Sequence, residues 1–280
     1  QSFWDKCLYD GVLEMPSEGG EAPAFSGDAA AAASAIAANY KAGGQFELVV
    51  YESYAIGNCS QANNPLLQEL PDPITKAVWD HYVTIAPKDA GDLTNPESFT
   101  KFADITANGQ TVSLPVLIQP GQAPGTLGIA LGYGRTKAGK VADNNGINAY
   151  TLLGMVNGSV GYNVTNATYQ LTDKDFQLAQ TQTHHTYMGR QTVIQETTLN
   201  EWIKNPKSDF QPEISTWVTN DGKPNPSGKV KPGELSLWKG HEYKNHHWGM
   251  AIDLNACNGC GACIVACNVE NNVALVGREE

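Results

Sequence analysis

The sequence predicts an α/β fold with a β-rich, barrel-like C-terminal portion, followed by the beginning of a small cysteine-rich module. Three observations support this: an alanine-rich helical pattern precedes a buried apolar run, short β-rich stretches follow, and four of the six cysteines cluster near the end. We therefore divide the chain into residues 1–105, 106–234 and 235–280. A length of 280 residues also exceeds that of a usual single domain.

The first part is predicted to combine helices with a buried strand. Residues 27–41 are rich in alanine and can be capped by Asp28, which predicts a helix. The apolar run within 46–58 predicts a buried strand. An Asp-Pro pair at 72–73 can start a helix, and residues 74–83 have an apolar face, so we predict a second helix there. A helix followed by a buried strand is typical of an α/β layer with a parallel sheet.

The second part has β-rich character. From about residue 106, short β-rich stretches are broken by glycine and proline without a helical periodicity, which is typical of a compact barrel or sandwich. The glycine-rich segment 125–135 lacks the spacing of a phosphate-binding loop, so β-turns are the better interpretation. Residues 220–234 are rich in proline, glycine and lysine and are predicted to be a linker.

Net charge and hydropathy limit the kinds of partner that the chain can bind directly. The net charge of −11 argues against a nucleic-acid partner. No apolar run approaches the roughly 18 residues of a membrane helix, so a membrane role would act through a partner. The chain begins with Gln1 rather than Met and has no signal peptide, and we expect it to be part of a longer protein.

The strongest signal is the cysteine run, residues 257–267, with the spacing C-x₂-C-x₂-C-x₃-C. Its predicted ligands are Cys257, Cys260, Cys263 and Cys267. An iron–sulfur cluster needs thiolates from several directions around a small volume, and short gaps on a tight loop provide them. Gly259 and Gly261 permit the unusual backbone angles of such a loop. Zinc sites more often use two separated pairs, and disulfide frameworks spread their cysteines, so these alternatives fit less well.

The fourth cysteine of such a run often binds a second cluster. If Cys267 does so, both clusters need further ligands, because Cys7 and Cys59 are distant and isolated. We expect those ligands beyond Glu280. Before the run, apolar residues alternate over 248–254, which predicts a half-buried strand leading into the cluster loop.

Other candidate residues favour less specific roles. Cys59 follows a strand and turn, but a lone cysteine is usually small buried packing rather than a molybdenum ligand. Haem attachment would require C-x-x-C-H, which is absent. Five histidines are assigned mainly structural or surface roles, with tuning of a cluster potential as the alternative: His184, His185, His241, His246 and His247. No hydrolase motif is present.

Four segments of the sequence resemble known protein families. Residues 246–273, HHWGMAIDLNACNGCGACIVACNVENNV, resemble the first cluster motif of four-cluster ferredoxin-like subunits of membrane-bound respiratory oxidoreductases. Residues 63–82, 114–140 and 181–193 resemble the C-terminal part of molybdopterin oxidoreductase-like domains. The order of these motifs is similar to that in the large iron–sulfur subunits of alternative complex III, the bacterial quinol:cytochrome c oxidoreductase.

The resemblance implies a set of expectations. It implies [4Fe-4S] clusters held by the run, with [3Fe-4S] as a further type in the full protein, and Cys267 as ligand of a cluster shared with a later run. It implies a molybdopterin oxidoreductase-like domain that holds no molybdenum cofactor and acts as a scaffold. The partners would be an integral membrane quinol-oxidising subunit and a multihaem cytochrome c subunit. The location would be the periplasmic face of the inner membrane.

These expectations predict an electron-transfer subunit of a respiratory quinol oxidoreductase rather than the subunit that turns over substrate. Two alternatives remain open at this point. One is a catalytic molybdopterin oxidoreductase fusion of the polysulfide or dimethyl sulfoxide reductase type. The other is a structural assembly subunit with a vestigial cluster site.

Overall fold

The chain forms two compact units, residues 1–42 and 43–280. The computed structural model describes residues 2–13, 24, 26–39, 43–91, 93, 99–156, 158–183, 186–190, 194–208, 210, 212–219, 221–235, 238 and 242–279. All statements on structure below concern these residues.

The first unit contains helices α1 (Ser2–Asp10) and α2 (Ala29–Asn39). The Asp28 carboxylate accepts a hydrogen bond from the backbone N–H of Ala31 at 2.9 Å, so the expected N-terminal cap is present. The predicted helix is confirmed over 29–39, and positions 40 and 41 lie outside the described residues. The sequence predicts that this helix and the following strand share an α/β layer, whereas they fall into different units. Alanine offers a helix little apolar area to pack on a sheet.

The second unit is built on a closed six-stranded barrel. The strands are β1 (Phe46–Glu52), β2 (Val83–Ile85), β3 (Phe99–Ala107), β4 (Gln110–Ile118), β5 (Thr126–Leu131) and β8 (Asn163–Gln177). Their order around the barrel is β1-β5-β2-β4-β3-β8, and β8 pairs with β1 to close it. Two pairs, β1 with β5 and β2 with β4, are parallel, and the others are antiparallel.

The core lies inside the barrel. In β1, Phe46, Leu48 and Val50 are buried while Glu47 and Val49 are exposed, as alternation in a barrel strand requires. The register places Leu48 opposite Leu127 and Val50 opposite Ile129 on β5. Other fully buried side chains are Val83, Ile85, Ile105, Leu114 and Val116. Burial of each such side chain is worth about 1.5–3 kcal/mol.

A tight turn connects β3 to β4. Ala107 pairs with Gln110, so the loop has two residues, Asn108 and Gly109. Both have positive φ, 51° and 76°, as the commonest two-residue hairpin turn demands. The Asn108 side chain also donates a hydrogen bond to the carbonyl of Leu152 at 2.9 Å.

The barrel includes strands from both sides of the boundary expected near residue 105. That position lies within β3, and β1 and β2 form one closed sheet with β4, β5 and β8. The buried strand predicted within 46–58 is present as β1. Its parallel partner, β5, is distant in sequence, and local patterns do not reveal such a pairing.

The helix predicted over 74–83 is wrong. The Asp72 carboxylate does accept hydrogen bonds from the N–H groups of Ile74 and Thr75, at 2.9 and 2.8 Å, so the start signal operates. A single turn follows, because Lys76 and Trp79 have positive φ, 59° and 60°. The Trp79 N–H bonds instead to the carbonyl of Gln68 at 2.9 Å, whereas a helix through this segment would use the carbonyl of Thr75.

Small elements complete the second unit. They are α3 (Pro65–Gln68), β6 (Gly154–Val156), β7 (Ser159–Gly161), α4 (Leu199–Lys204), β9 (Ile214–Ser215), β10 (Lys229–Val230), α5 (Ala262–Glu270) and the 3₁₀ turns Ala149–Leu152 and Pro232–Leu235. The predicted linker at 220–234 thus contains β10, which pairs with β9. Within the described ranges, every helix falls short of the length and apolarity needed to cross a membrane.

Candidate iron–sulfur site

The segment before the cysteines is extended and exposed. The half-buried strand predicted over 248–254 is wrong, because these residues form no strand and Trp248 and Leu254 are 89% and 83% exposed. Alternation of apolar residues predicts a strand only where a neighbouring strand supplies backbone partners. No described strand pairs with this segment.

Two turns shape the start of the cysteine run. The carbonyl of Asp253 accepts a hydrogen bond from the N–H of Cys257 at 2.9 Å, and its carboxylate accepts one from Asn255 N–H at 2.9 Å. The side-chain oxygen of Asn258 accepts a hydrogen bond from the N–H of Cys260 at 3.1 Å. Asp and Asn side chains favour such turns because they bond to the backbone two residues further on. The first two cysteines therefore lie on successive local turns.

The second half of the run is helical. Gly261, with φ of 66°, lies at the start of α5, and the helix positions Cys263 and Cys267 four residues apart. Side chains at this spacing lie on the same face of a helix. The side-chain amide of Asn271 donates a hydrogen bond to the Cys267 carbonyl at 2.9 Å and lies 3.4 Å from its sulfur. Hydrogen bonds to sulfur are one means by which proteins tune cluster potentials.

All four thiols of the run are free and exposed. Among the described residues, no group of three or more His, Cys, Asp and Glu side chains is close enough to hold a metal ion, so these thiols do not converge. Their number, softness and spacing nevertheless fit an iron–sulfur cluster, and Gly259 and Gly261 have the positive φ values that a wrapping loop uses. Because metal binding is coupled to folding, we expect the loop to close further when a cluster is bound.

The run contacts the rest of the second unit through its central residues. The hydroxyl of Tyr54 donates a hydrogen bond to the carbonyl of Cys260 at 2.7 Å. Burial and the neighbouring Cys260 raise the pKa of Tyr54, so this hydroxyl stays protonated. A Cβ on Gly261 would lie 2.8 Å from Cδ1 of Leu70, which shows how closely the loop packs on that side chain. Only glycine allows both this approach and the backbone angle.

A second contact lies after α5. The carboxylate of Glu69 accepts hydrogen bonds from the N–H groups of Val276 and Gly277, at 3.0 and 2.8 Å. Arg278 bonds to both carboxylate oxygens of Asp80, at 2.5 and 3.2 Å, and to the carbonyl of Gln177. Asp80 is 6% exposed. The pairing with Asp80 raises the pKa of Arg278, as expected for a charged group held by its partner.

A cavity of about 30 Å³ lies next to the first contact. Its lining includes Tyr54 and Leu70, which touch the cysteine run, together with Tyr51, Asp72, Trp79 and His81. His81 is buried, stacks on Tyr133 at 4.3 Å and accepts a hydrogen bond from the N–H of Ile147. Burial lowers the pKa of His81 to about 3, so the ring is neutral at ordinary pH.

The other candidate residues named from the sequence are two cysteines and five histidines. Cys59 is half-buried with positive φ, and its sulfur accepts a hydrogen bond from Arg135 at 2.9 Å. Cys7 lies in α1 of the other unit. His246 and His247 are exposed, and His247 stacks on Tyr243. His184, His185 and His241 lie outside the described residues.

Sequence patterns gave no signal for the residues that hold the run. Tyr54, Glu69, Leu70 and Asp80 precede the cysteines by about two hundred positions and belong to no cluster-binding motif. The sequence predicts a helix around Asp80, in which its side chain has no specific role. A charged residue beside a strand, such as Asp80, becomes informative only when its partner Arg278 is known. These contacts are properties of the tertiary structure.

Comparison with known proteins identifies part of the cysteine segment, a name that we use for residues 246–279. A family model described as "4Fe-4S binding domain" matches residues 248–269, a range that includes all four cysteines. A stretch of 27 residues is 70% identical to the iron–sulfur cluster-binding subunit of menaquinone reductase from Nitratidesulfovibrio vulgaris. That match covers 10% of this chain and 11% of the relative.

A second relative is the iron–sulfur subunit of the arsenate respiratory reductase of Chrysiogenes arsenatis. It is 64% identical over 25 residues, which are 9% of this chain and 83% of that relative. The similarity is thus confined to a short segment, and the chain spans about a tenth of the menaquinone reductase subunit. Through this segment, the chain belongs to the 4Fe-4S binding family that includes iron–sulfur subunits of respiratory reductases.

Proposed function

We propose that this chain is an electron-transfer subunit of a membrane-associated respiratory quinol oxidoreductase. Cys257, Cys260, Cys263 and Cys267 bind the iron–sulfur clusters as thiolates, and the clusters supply the redox chemistry when bound. Backbone amides around Gly259 and Gly261 contribute hydrogen-bond donors that adjust the potential. The barrel positions the segment.

One observation supports this proposal more than any other. Four free, exposed thiols with iron–sulfur spacing lie in the segment that matches the 4Fe-4S binding domain. The segment contacts the rest of the second unit at two places, on either side of α5. An exposed cluster attached to a folded barrel unit suits electron transfer, because the distance between the cluster and a redox partner can be kept constant.

The finer parts of the proposal rest on the resemblance to alternative complex III. Electrons would pass from quinol, oxidised in an integral membrane subunit, through the clusters to a multihaem cytochrome c subunit. The upstream region would be a molybdopterin oxidoreductase-like scaffold without molybdenum. The complex would lie on the periplasmic face of the inner membrane, and [3Fe-4S] would be a further cluster type.

The test is low-temperature EPR spectroscopy of the reduced protein with analysis of iron, labile sulfide and molybdenum. We expect an iron–sulfur signal, and Cys263→Ser should remove or convert one cluster while the barrel stays folded. Cys59→Ser, in the same unit but outside the run, is the control and should leave the spectrum unchanged. Absence of any iron–sulfur signal from the wild-type protein would contradict the proposal, and stoichiometric molybdenum would favour a catalytic molybdopterin enzyme.

A second candidate differs in the acceptor of the electrons. Both relatives named above are subunits of reductases, which favours a chain that hands electrons to a catalytic reductase subunit. The two are distinguished in the intact complex by reducing the clusters and then adding an acceptor. Rapid cluster oxidation by cytochrome c supports the first candidate, and oxidation only through a catalytic reductase subunit supports the second.

A further inference from the structure

Tyr54 contacts the centre of the cysteine run from the other end of the chain. Its hydroxyl donates a 2.7 Å hydrogen bond to the carbonyl of Cys260, across 206 positions of sequence. We propose that Tyr54 is a positioning residue of the iron–sulfur site, which fixes the peptide between Cys260 and Gly261 and so the direction of the Gly261 amide. This inference rests on the proposed function, because it concerns the same site.

Tyr54 lies on a rigid part of the second unit. It follows β1 in a turn in which the N–H of Gly57 bonds to the carbonyl of Ser53 at 2.8 Å. Ile56 in this turn is 1% exposed and packs in a small core cluster with Ala62 and Ala142. The turn that carries Tyr54 is therefore fixed by this hydrogen bond and by the buried Ile56. Tyr54 itself is 48% exposed.

The geometry of the peptide bond gives this contact a chemical consequence. A peptide is planar and trans, so its C=O and N–H point in opposite directions. When Tyr54 holds the Cys260 carbonyl, the Gly261 N–H must point away from the Tyr54 hydroxyl. Amides of such loops donate hydrogen bonds to cluster sulfurs and thereby favour the reduced state. Loss of the Tyr54 hydroxyl should leave this amide less well directed.

Leu70 restricts the same peptide from a second side. The close approach of Leu70 to Gly261 prevents the loop from moving toward that side chain, and the hydrogen bond from Tyr54 holds the Cys260 carbonyl. The contacts of Glu69 and Asp80 act separately, because they bind residues after α5. Tyr54 is thus the described side chain that hydrogen-bonds directly to a cysteine of the run from outside the cysteine segment.

The test compares Tyr54→Phe with Tyr150→Phe in the full chain with its clusters. Tyr150 is a matched control, because it is 41% exposed and its hydroxyl also donates to a backbone carbonyl, that of Asn58, at 3.3 Å. We expect Tyr54→Phe to release iron to a chelator about three- to tenfold faster, as loss of one hydrogen bond predicts. Its cluster midpoint potential should shift to a more negative value, and Tyr150→Phe should match the wild type in both measurements.

Amide hydrogen exchange of the cluster-free protein provides an independent measurement. In Tyr54→Phe the amides of 257–263 should exchange faster than in the wild type, while those of β1 and β5 stay unchanged. Equal potentials, equal iron release and equal exchange in the two tyrosine variants would overturn the inference. A wild-type protein that binds no cluster would instead refute the proposed function, so the two failures are distinguishable. A Tyr54→Phe protein that alone binds no cluster, with its barrel folded, would support the inference.

Discussion

The barrel and the cysteine segment differ in what holds them together. The barrel encloses fully buried side chains such as Leu127, whereas Leu254 in the cysteine segment is 83% exposed and helix α5 contains no buried residue. The barrel is stabilised by its own apolar interior. The cysteine segment depends on local turns and on a few polar contacts with the connection between β1 and β2, such as those of Tyr54, Glu69 and Asp80.

This difference shows how a cluster-binding segment can change its conformation and still remain attached to the rest of the unit. Thiols must rearrange to enclose a cluster, so a rigid apolar core around them would oppose the change. The contacts with Tyr54, Glu69 and Asp80 keep the segment attached during that rearrangement. The contacts lie on either side of α5, which leaves the thiols themselves free of the barrel.

Truncation of one leucine in each region should give the largest difference in stability between the barrel and the cysteine segment. Leu127→Ala removes a side chain with 0% exposure and should lower the free energy of unfolding by about 2–5 kcal/mol. Leu254→Ala makes the same chemical change at an exposed position and should alter it by less than about 0.5 kcal/mol. Urea unfolding followed by circular dichroism measures both. Similar losses in the two variants would contradict the division into a packed barrel and an exposed segment.

The contact of Arg278 with Asp80 should have the next largest effect. Arg278→Met leaves a carboxylate of 6% exposure without its charged donor and should cost about 1.5–3 kcal/mol. The N–H of Ala179 still bonds to Asp80, which keeps the loss below that of a wholly unpaired charge. Urea unfolding gives the free energy, and hydrogen exchange of residues 276–279 should rise.

Lys101→Met serves as the control for that variant. Lys101 pairs with the exposed Asp173 at 3.6 Å, and such surface pairs contribute at most about 1 kcal/mol. If both variants lose equal stability, the interaction between Arg278 and Asp80 does not hold the segment.

The pH dependence of the barrel should show the smallest effect over a single pH unit. Burial lowers the pKa of His81 from 6.5 to about 3, so between these values the unfolded chain binds a proton that the folded chain does not. The stability from His81 is therefore complete above pH 6.5 and falls as the pH decreases toward 3. One pH unit below 6.5 the loss should be about 1.4 kcal/mol.

His81→Phe keeps a ring that can stack on Tyr133 but cannot titrate. Its free energy of unfolding should therefore change less with pH between 5 and 7 than that of the wild type, whatever its absolute value. Equal slopes in the two proteins would show that His81 is protonated in the folded state. Urea unfolding at a series of pH values makes this comparison.

Some features were predictable because their causes are local. The cap at Asp28, the buried strand at β1 and the β-rich stretches depend on neighbouring residues, and the spacing of the cysteines identifies their chemistry. The helix at 74–83 failed because Trp79 N–H bonds to Gln68, which overrides a correct start signal at Asp72. The parallel pairing of β1 with β5, and the contact of Tyr54 with Cys260, join distant residues and leave no pattern in either stretch.

The separation of 206 positions between Tyr54 and Cys260 has a consequence for biosynthesis. A ribosome makes β1 to β8 well before the cysteines, so the barrel can fold while the cysteine segment is still being translated. The surface that contacts the segment then exists before any of the four thiols of the run is translated. Cluster insertion would then follow the folding of the barrel. A mutation that slows barrel folding should therefore lower the iron content of the purified protein.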